Sequence, residues 1–399
     1  MNVPGYSEET SSKVLDVDQI EDESGLELEN DRGAEIEVPF DPSKIDIIVK
    51  PMTISALEDR LENNELDLTP DFQRQANIWN ASRKARLIES VLLRIPLPSF
   101  YFSEDANGSY AVVDGLQRLC AIFHFMSYKH LNKATGAKLT PLRLEGLQYL
   151  KELDRYSFDD LDRKFQRRIS ELEITANIIR ANTPSAVKFN VFARLNQGGM
   201  PLNAQEIRNA IFPGVWRDEI REMAEGKIFL RVTEGKIKTQ RQQDMELVLR
   251  FVALWRLGDP YRRPINRTLD EFLNTTVENE LIKWNNEKWE HASMALERSL
   301  HAAHAIFGKH VFRKSVRHYY RKPINRGLFE AQLVALNSLS DMNLTKLTER
   351  KSMVEEKFEK ALDFDEEFIR ALLYATGSAE ASNIRIQKFS EIFKEVINA

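Results

Sequence analysis

The sequence predicts an α+β fold in which a small mixed domain precedes a mostly α-helical domain. Strand-like runs of β-branched and aromatic residues alternate with helical patterns up to about Phe212. Beyond that point nearly every apolar pattern has the spacing of a helix. The 399 residues are 42% hydrophobic, which is enough to fill more than one core.

The first 40 residues form an acidic segment. They contain twelve Asp or Glu against Lys13 and Arg32, a net charge of −10 in a chain whose total is −5, so the remainder is +5. So few apolar groups do not offset the entropy lost on ordering, and we predict that residues 1–40 are disordered. Such a tail either competes with a polyanion for the basic body or serves as a solubilising leader.

The cell compartment is indicated by what the sequence lacks. Cys120 is the single cysteine, which excludes an internal disulfide framework and a cysteine-based zinc site. No run reaches the roughly 18 apolar residues of a membrane span. The N-terminus also lacks the basic and apolar regions of a signal peptide. We expect a cytoplasmic protein that does not contact a membrane.

A hairpin and a helix are predicted around the middle of the first domain. The segment SFYFSEDANGSYAVVDG (99–115) has two strand-like runs on either side of Asn107-Gly108, which is typical of a hairpin. A helix then begins at Leu116 and is expected to end near Tyr128.

The corner between this hairpin and this helix is a candidate phosphate site. Unpaired N–H groups and the positive end of the helix dipole attract an anion there, and Gly115 permits close approach. Asp114 can orient a water, hold Mg²⁺ or accept a proton, and Gln117 can position a water or contact a base edge. Arg118 can reach back to a phosphate. In the alternative interpretation, Asp114 caps the helix and Arg118 pairs with it.

Two other polar segments are candidates for the same site. PDFQRQANIW places Gln73 and Arg74 in a loop, and FARLNQGGMPLNAQEIRNAIF places Asn196 beside two glycines. With Gly115, these residues are our candidates for nucleotide binding. Alternatively, Arg74 is a surface charge and the glycines end a helix.

A basic and aromatic segment in the second domain is a candidate nucleic-acid surface. FRKSVRHYYRKPINR (312–326) combines cations that can contact phosphates with rings on which bases can stack. The residues that we select from it are Arg317, Tyr319, Arg321 and Lys322. The alternative is a solvated helix end.

Taken together and in order, these motifs resemble the ParB/sulfiredoxin-like domain at the N-terminus of GmrSD-type modification-dependent restriction enzymes. The family pattern is a QR…W loop, a helix ending in IP.P, a DGQQR corner and an F.RLN.GG.PLN.QEIRNA segment. Here these motifs stand at 73–79, 95–98, 114–118 and 192–210. The resemblance covers about residues 45–212. We therefore divide the chain into an acidic tail (1–40), a nucleotide-binding domain (41–205) and an α-helical domain (206–399).

The resemblance implies a nucleoside triphosphate site that uses Mg²⁺. Asp114, Gln117 and Arg118 would line this site, with Asp114 as metal ligand or general base and Arg74 nearby. It further implies nucleotide binding and hydrolysis, coupled to recognition or cleavage of DNA in restriction or phage defence, with a separate nuclease as a possible partner.

Two departures from the family pattern limit what it implies. Leu116 replaces the first Gln of DGQQR, which bears on hydrolysis more than on binding. The ligands of an HNH nuclease are not found, so the chain resembles a stand-alone member of the family. Whether it is an NTPase or a ParB-like nuclease stays open. The alternative is a non-catalytic DNA-binding or adaptor protein that keeps the pocket for structural reasons.

Overall fold

A computed structural model of the chain describes residues 26–27, 45–68, 79–195, 203–237, 241–315, 322–374 and 376–399. Within these ranges, a mixed sheet with helices is followed by helices and one isolated β-bridge, which confirms the predicted α+β class. The predicted disorder of residues 1–40 falls, except at 26–27, outside the described residues.

One mixed sheet organises the N-terminal part. Its strands are Ile47–Thr53 (β1), Leu66–Asp67 (β2), Phe100–Glu104 (β3), Tyr110–Asp114 (β4) and Glu173–Ile179 (β5). The strand order is β1-β5-β3-β4-β2; β1/β5 and β3/β4 are antiparallel, and β5/β3 and β4/β2 are parallel. The β3–β4 pair is the predicted hairpin. Its turn is closed by Asp105 Oδ1, which accepts from the amides of Asn107 and Ser109 at 2.8 and 2.9 Å.

Besides two short 3-10 helices, five α-helices accompany the sheet within the described residues. They are Ile54–Glu62 (α1), Ala81–Leu92 (α2), Leu116–Thr135 (α3), Arg163–Ser170 (α4) and Ser185–Leu195 (α5). The predicted end of the helix near Tyr128 coincides with a break at Ser127, whose φ of −148° and ψ of 49° are not helical, and a second helical stretch then continues to Thr135. The apolar face resumes beyond the kink, where Leu131 is fully buried.

Helices joined by short connections make up the described residues of the C-terminal part, apart from the bridge at Ile324. Its helices are Ala204–Ile211 (α6), Trp216–Ala224 (α7), Lys227–Val232 (α8), Gln243–Trp255 (α9), Leu269–Asn279 (α10), Asn286–Phe307 (α11), Arg326–Asn337 (α12), Asp341–Glu349 (α13), Lys351–Phe364 (α14), Glu366–Leu373 (α15) and Ala379–Asn398 (α16). None of the described helices has both the length and the apolar character needed to cross a lipid bilayer.

The sheet lies between two hydrophobic clusters because side chains alternate along each strand. Phe100, Phe102 and Val112 pack with α1–α4 in one cluster. Val113 and Ile179 pack in the other, which continues through α5 and α6 into the C-terminal helices. The predicted boundary between residues 205 and 206 falls within α6, and the domain limits stay a prediction.

Candidate phosphate-binding corner

The corner joins the end of β4 to the start of α3 through Gly115. Gly115 has a positive φ of 93° and is the N-cap residue of α3, and no side chain caps the helix. The first hydrogen bond inside the helix runs from the amide of Leu119 to the carbonyl of Gly115 at 2.9 Å. Asp114 therefore does not cap α3, contrary to one part of the alternative interpretation. The N-cap residue is a glycine, so it offers no side-chain acceptor to the first amides of the helix.

The glycine at position 115 is explained by packing against Phe100. A Cβ at this position would lie 2.8 Å from Phe100 Cε1 and closer still to Phe100 Cδ1. Real Cβ atoms essentially never approach another atom so closely. The positive φ adds a second requirement, because side chains strain this backbone conformation. Gly115 is thus needed for the fold whether or not a ligand approaches it.

Arg118 connects the three pieces of chain that meet at the corner. Its guanidinium donates to the carbonyl of Pro98, to the carbonyl of Ser99 at 3.1 Å and to Asp114 Oδ2 at 2.9 Å. It also lies over the Phe100 ring, 4.4 Å from the ring centroid. Burial lowers the pKa of Arg118 and Asp114 opposes that shift, while the group stays charged. The Arg118–Asp114 pair of the alternative interpretation is therefore present.

Asp114 presents a carboxylate to solvent beside the helix start. Its side chain is 43% exposed, and Oδ2 is held by Arg118. Oδ1 makes no hydrogen bond to any described residue. A single carboxylate suits Mg²⁺ when phosphates and waters supply the other ligands. Within the described ranges, the corner included, no three His, Cys, Asp or Glu side chains are grouped to hold a metal.

The structure describes only some of the other predicted site residues. Gln117 is half-buried in the first turn of α3, next to the corner. Lys322 is half-buried near Lys314, and nothing described brings it to the corner. The predicted residues outside the described ranges are Gln73, Arg74, Asn196, Arg317, Tyr319 and Arg321. The roles assigned to all these residues stay predictions.

Sequence reasoning missed a buried cation on the face of α3 that begins at the corner. Lys84 of α2 is 7% exposed, and its ammonium donates to Nδ1 of His124 at 3.3 Å. Nε2–H of His124 donates to the carbonyl of Thr140 at 2.9 Å. Burial lowers the pKa of His124 and the charge of Lys84 lowers it further, so the imidazole is neutral. Burial also lowers the pKa of Lys84.

A signal for Lys84 was present in the sequence. Lys84, Ile88 and Val91 have the i, i+4, i+7 spacing of one helix face, and both apolar residues are fully buried. A lysine on such a face is either buried or reaches along it to solvent. His124 lies seven residues, about two helical turns, beyond Gln117 on α3.

A second group that sequence reasoning missed joins two helices of the C-terminal part, α6 and α10. Arg208 of α6 is fully buried and donates to Asn274 Oδ1 at 2.8 Å and to Asp270 Oδ1 at 2.7 Å, both on α10. It also donates to Gln205 Oε1 at 2.5 Å. The QEIRNA motif is therefore a buried hydrogen-bonded contact between helices.

Residues 57–213 match the family model of the N-terminal domain of the GmrSD restriction endonuclease. The match includes the corner at 114–118 and ends just after α6. The chain thus contains a GmrSD-type N-terminal domain, which confirms the resemblance seen in its motifs and indicates a restriction-endonuclease context. No curated protein and no solved structure gives a significant match.

Proposed function

We propose that the corner binds the phosphates of a nucleoside triphosphate with Mg²⁺, and that hydrolysis of the nucleotide is coupled to recognition or cleavage of DNA in restriction or phage defence. One observation carries the proposal. A domain of a restriction-endonuclease family presents an exposed carboxylate, Asp114, at the N-terminus of a helix whose N-cap residue is a glycine.

Each described residue at the corner has a part in this proposal. The first amides of α3 would bind a phosphate oxygen, and Oδ1 of Asp114 would hold Mg²⁺ or take a proton from water. Bound Mg²⁺ supplies neutralisation of the phosphate charge. Arg118 would act as a positioning residue, because it holds the other oxygen of Asp114. From the sequence, Gln117, Gln73, Arg74 and Asn196 would complete the binding site.

The test is phosphate release from each of the four nucleoside triphosphates with Mg²⁺, with and without DNA. Asp114→Ala should lower turnover by about 10²–10⁴-fold. Asp59→Ala is the matched control, because Asp59 is exposed on α1 and away from the corner. Turnover at the wild-type level in a folded Asp114→Ala variant would place hydrolysis elsewhere.

A non-catalytic DNA-binding or adaptor protein is the second candidate function. It is favoured by Arg118, whose guanidinium is bonded to Pro98, Ser99 and Asp114, and by Leu116 in place of the family's Gln. If the protein has this function, it would hydrolyse none of the four nucleoside triphosphates, and none of them would raise its melting temperature. Asp114→Ala would then leave DNA binding intact.

DNA contact by the basic segment has a separate test. The double variant Arg317→Ala/Arg321→Ala should weaken DNA binding and reduce its salt dependence. A third function, cleavage by this chain itself, requires Mg²⁺-dependent cutting of a plasmid without a partner protein.

A further inference from the structure

The acidic N-terminal segment contacts the C-terminal helical part through Leu26 and Glu27, the only described residues among the first 44. Leu26 forms a parallel bridge with Ile324 and is fully buried in the second hydrophobic cluster. The amide of Glu27 donates to the carbonyl of Ile324 at 2.9 Å. Two residues of the tail are thus docked on the body.

The side chain of Glu27 lies among cationic and polar groups. Lys314 Nζ donates to Oε1 at 2.5 Å, and Asn325 Nδ2 donates to Oε2 at 3.0 Å. Arg326 donates to the carbonyl oxygen of Glu27 at 2.6 Å. The Glu27 and Lys314 side chains are only 6% and 7% exposed. We call Lys314, Ile324, Asn325 and Arg326 the Glu27 pocket.

The Glu27 pocket places cationic side chains around the Glu27 carboxylate. Burial lowers the pKa of Lys314, the charge of Glu27 opposes this, and the charges of Lys322 and Arg385 add to the lowering. Departure of Glu27 would remove one buried carboxylate that accepts from Lys314 Nζ and Asn325 Nδ2. The loss of a buried hydrogen-bond acceptor is unfavourable, so another anion or water would take its place.

The sequence around Glu27 brings further negative charge to this place. Residues 21–31 contain six Asp or Glu and no Lys or Arg. Each lies within five residues of Leu26, so the chain holds them within about 18 Å of it. The 17 residues from 28 to 44 tether the docked pair to β1, which makes docking intramolecular and favours it by effective concentration. A row of closely spaced anions on a chain is also what a DNA strand presents.

We propose that the Glu27 pocket and the adjacent Lys322 bind DNA phosphates, and that the acidic segment occupies this surface in the free protein as an intramolecular competitor. Docking of Leu26 and Glu27 and binding of DNA are then mutually exclusive. This inference rests on the DNA contact in the proposed function, and it is independent of nucleotide hydrolysis. It favours competition with a polyanion over the solubilising leader.

The first test measures binding of a labelled DNA duplex at low salt. One variant releases the segment, Leu26→Asp/Glu27→Ala. A second keeps both docked residues and removes the flanking charge, Glu21→Gln/Asp22→Asn/Glu23→Gln/Glu29→Gln/Asp31→Asn. Deletion of residues 2–20 is the control, because it shortens the tail and leaves residues 21–31 intact. We expect both variants to bind DNA about tenfold more tightly than the wild type, and the deletion to change affinity less than about twofold.

The second test uses the wild type and needs no variant to fold. The amide of Glu27 donates to the carbonyl of Ile324, so we expect it to be protected from hydrogen exchange, and saturating DNA should remove that protection. If the Glu27 amide stays protected when DNA is bound, or if the wild type and all variants bind DNA with equal affinity, the proposed competition is wrong. The proposed function would still stand. Absence of DNA binding by every chain would overturn both.

Discussion

Arg118 in the first turn of α3 donates to Oδ2 of Asp114 at the end of β4 at 2.9 Å, and its guanidinium also donates to the carbonyls of Pro98 and Ser99. The orientation of the candidate catalytic carboxylate therefore depends on the loop that precedes β3. A substitution that disrupts these hydrogen bonds should therefore also change the position of the Asp114 carboxylate.

Replacement of Arg118 by Lys should destabilise the protein although the charge is kept. An ammonium lacks the planar fork that reaches three acceptors at once, so some of them lose their partner. We expect the free energy of unfolding in urea to fall by about 1–3 kcal/mol. Arg167→Lys is the control, because Arg167 and Glu171 form an exposed pair and should change stability by less than about 0.5 kcal/mol. Equal small effects would contradict a structural role for Arg118.

Replacement of Gly115 by Ala should destabilise the protein more than the same change at Gly108. Both glycines have positive φ, 93° and 83°, so both variants carry the backbone strain. Only the Cβ at 115 meets the Phe100 ring, because nothing lies within 4 Å of a Cβ at 108. We expect losses of about 2–4 kcal/mol at 115 and about 1 kcal/mol at 108, measured by denaturant unfolding. Similar losses at both positions would show that Phe100 moves aside freely.

Protonation of His124 should destabilise the fold as the solution becomes mildly acidic. The pKa of His124 in the folded protein is lowered by burial and by Lys84, so the unfolded chain takes up the proton first as the pH falls below about 6.5. Stability from this residue is thus present at neutral pH and is lost as the pH falls through that value.

The variant that tests this is His124→Gln, whose amide can accept from Lys84 and donate to Thr140 without titrating. Its melting temperature should fall less than that of the wild type between about pH 7.5 and pH 5.5. His301→Gln, on an exposed position of α11, should follow the wild type. Parallel curves for wild type and His124→Gln would contradict the prediction.

Replacement of Arg208 by Met should destabilise the contact between α6 and α10. The change leaves Asp270 and Asn274 without their buried partner, while the half-exposed Asp270 can recover some hydration. We expect a loss of about 2–4 kcal/mol in unfolding free energy. Arg143→Met removes an exposed pair with Asp160 and should cost less than about 1 kcal/mol. A loss at position 208 no larger than at position 143 would mean that the buried bonds contribute little.

Local patterns in the sequence were enough for the order of the elements. Asn80, a typical N-cap residue directly before α2, accepts from the amide of Arg83 at 2.8 Å. The hairpin turn at Asn107-Gly108 likewise depends on residues within a few positions of each other. Such features were predictable because caps, turns and helix periods are set by neighbouring residues. The ordered motifs around 114–118 also sufficed to recognise the domain.

Tertiary structure decided what the individual residues of the candidate site do. Gly115 is needed because a ring from β3 packs on it, and Arg118 is occupied by carbonyls twenty residues earlier in the chain. Lys84 is a buried cation because it packs against α3, where its partner His124 lies forty residues later in the chain. The Glu27 carboxylate accepts a hydrogen bond from Asn325, which lies 298 residues later in the chain. The energy of a charge depends on the groups and the water around it, and those are set by the folded chain rather than by sequence neighbours.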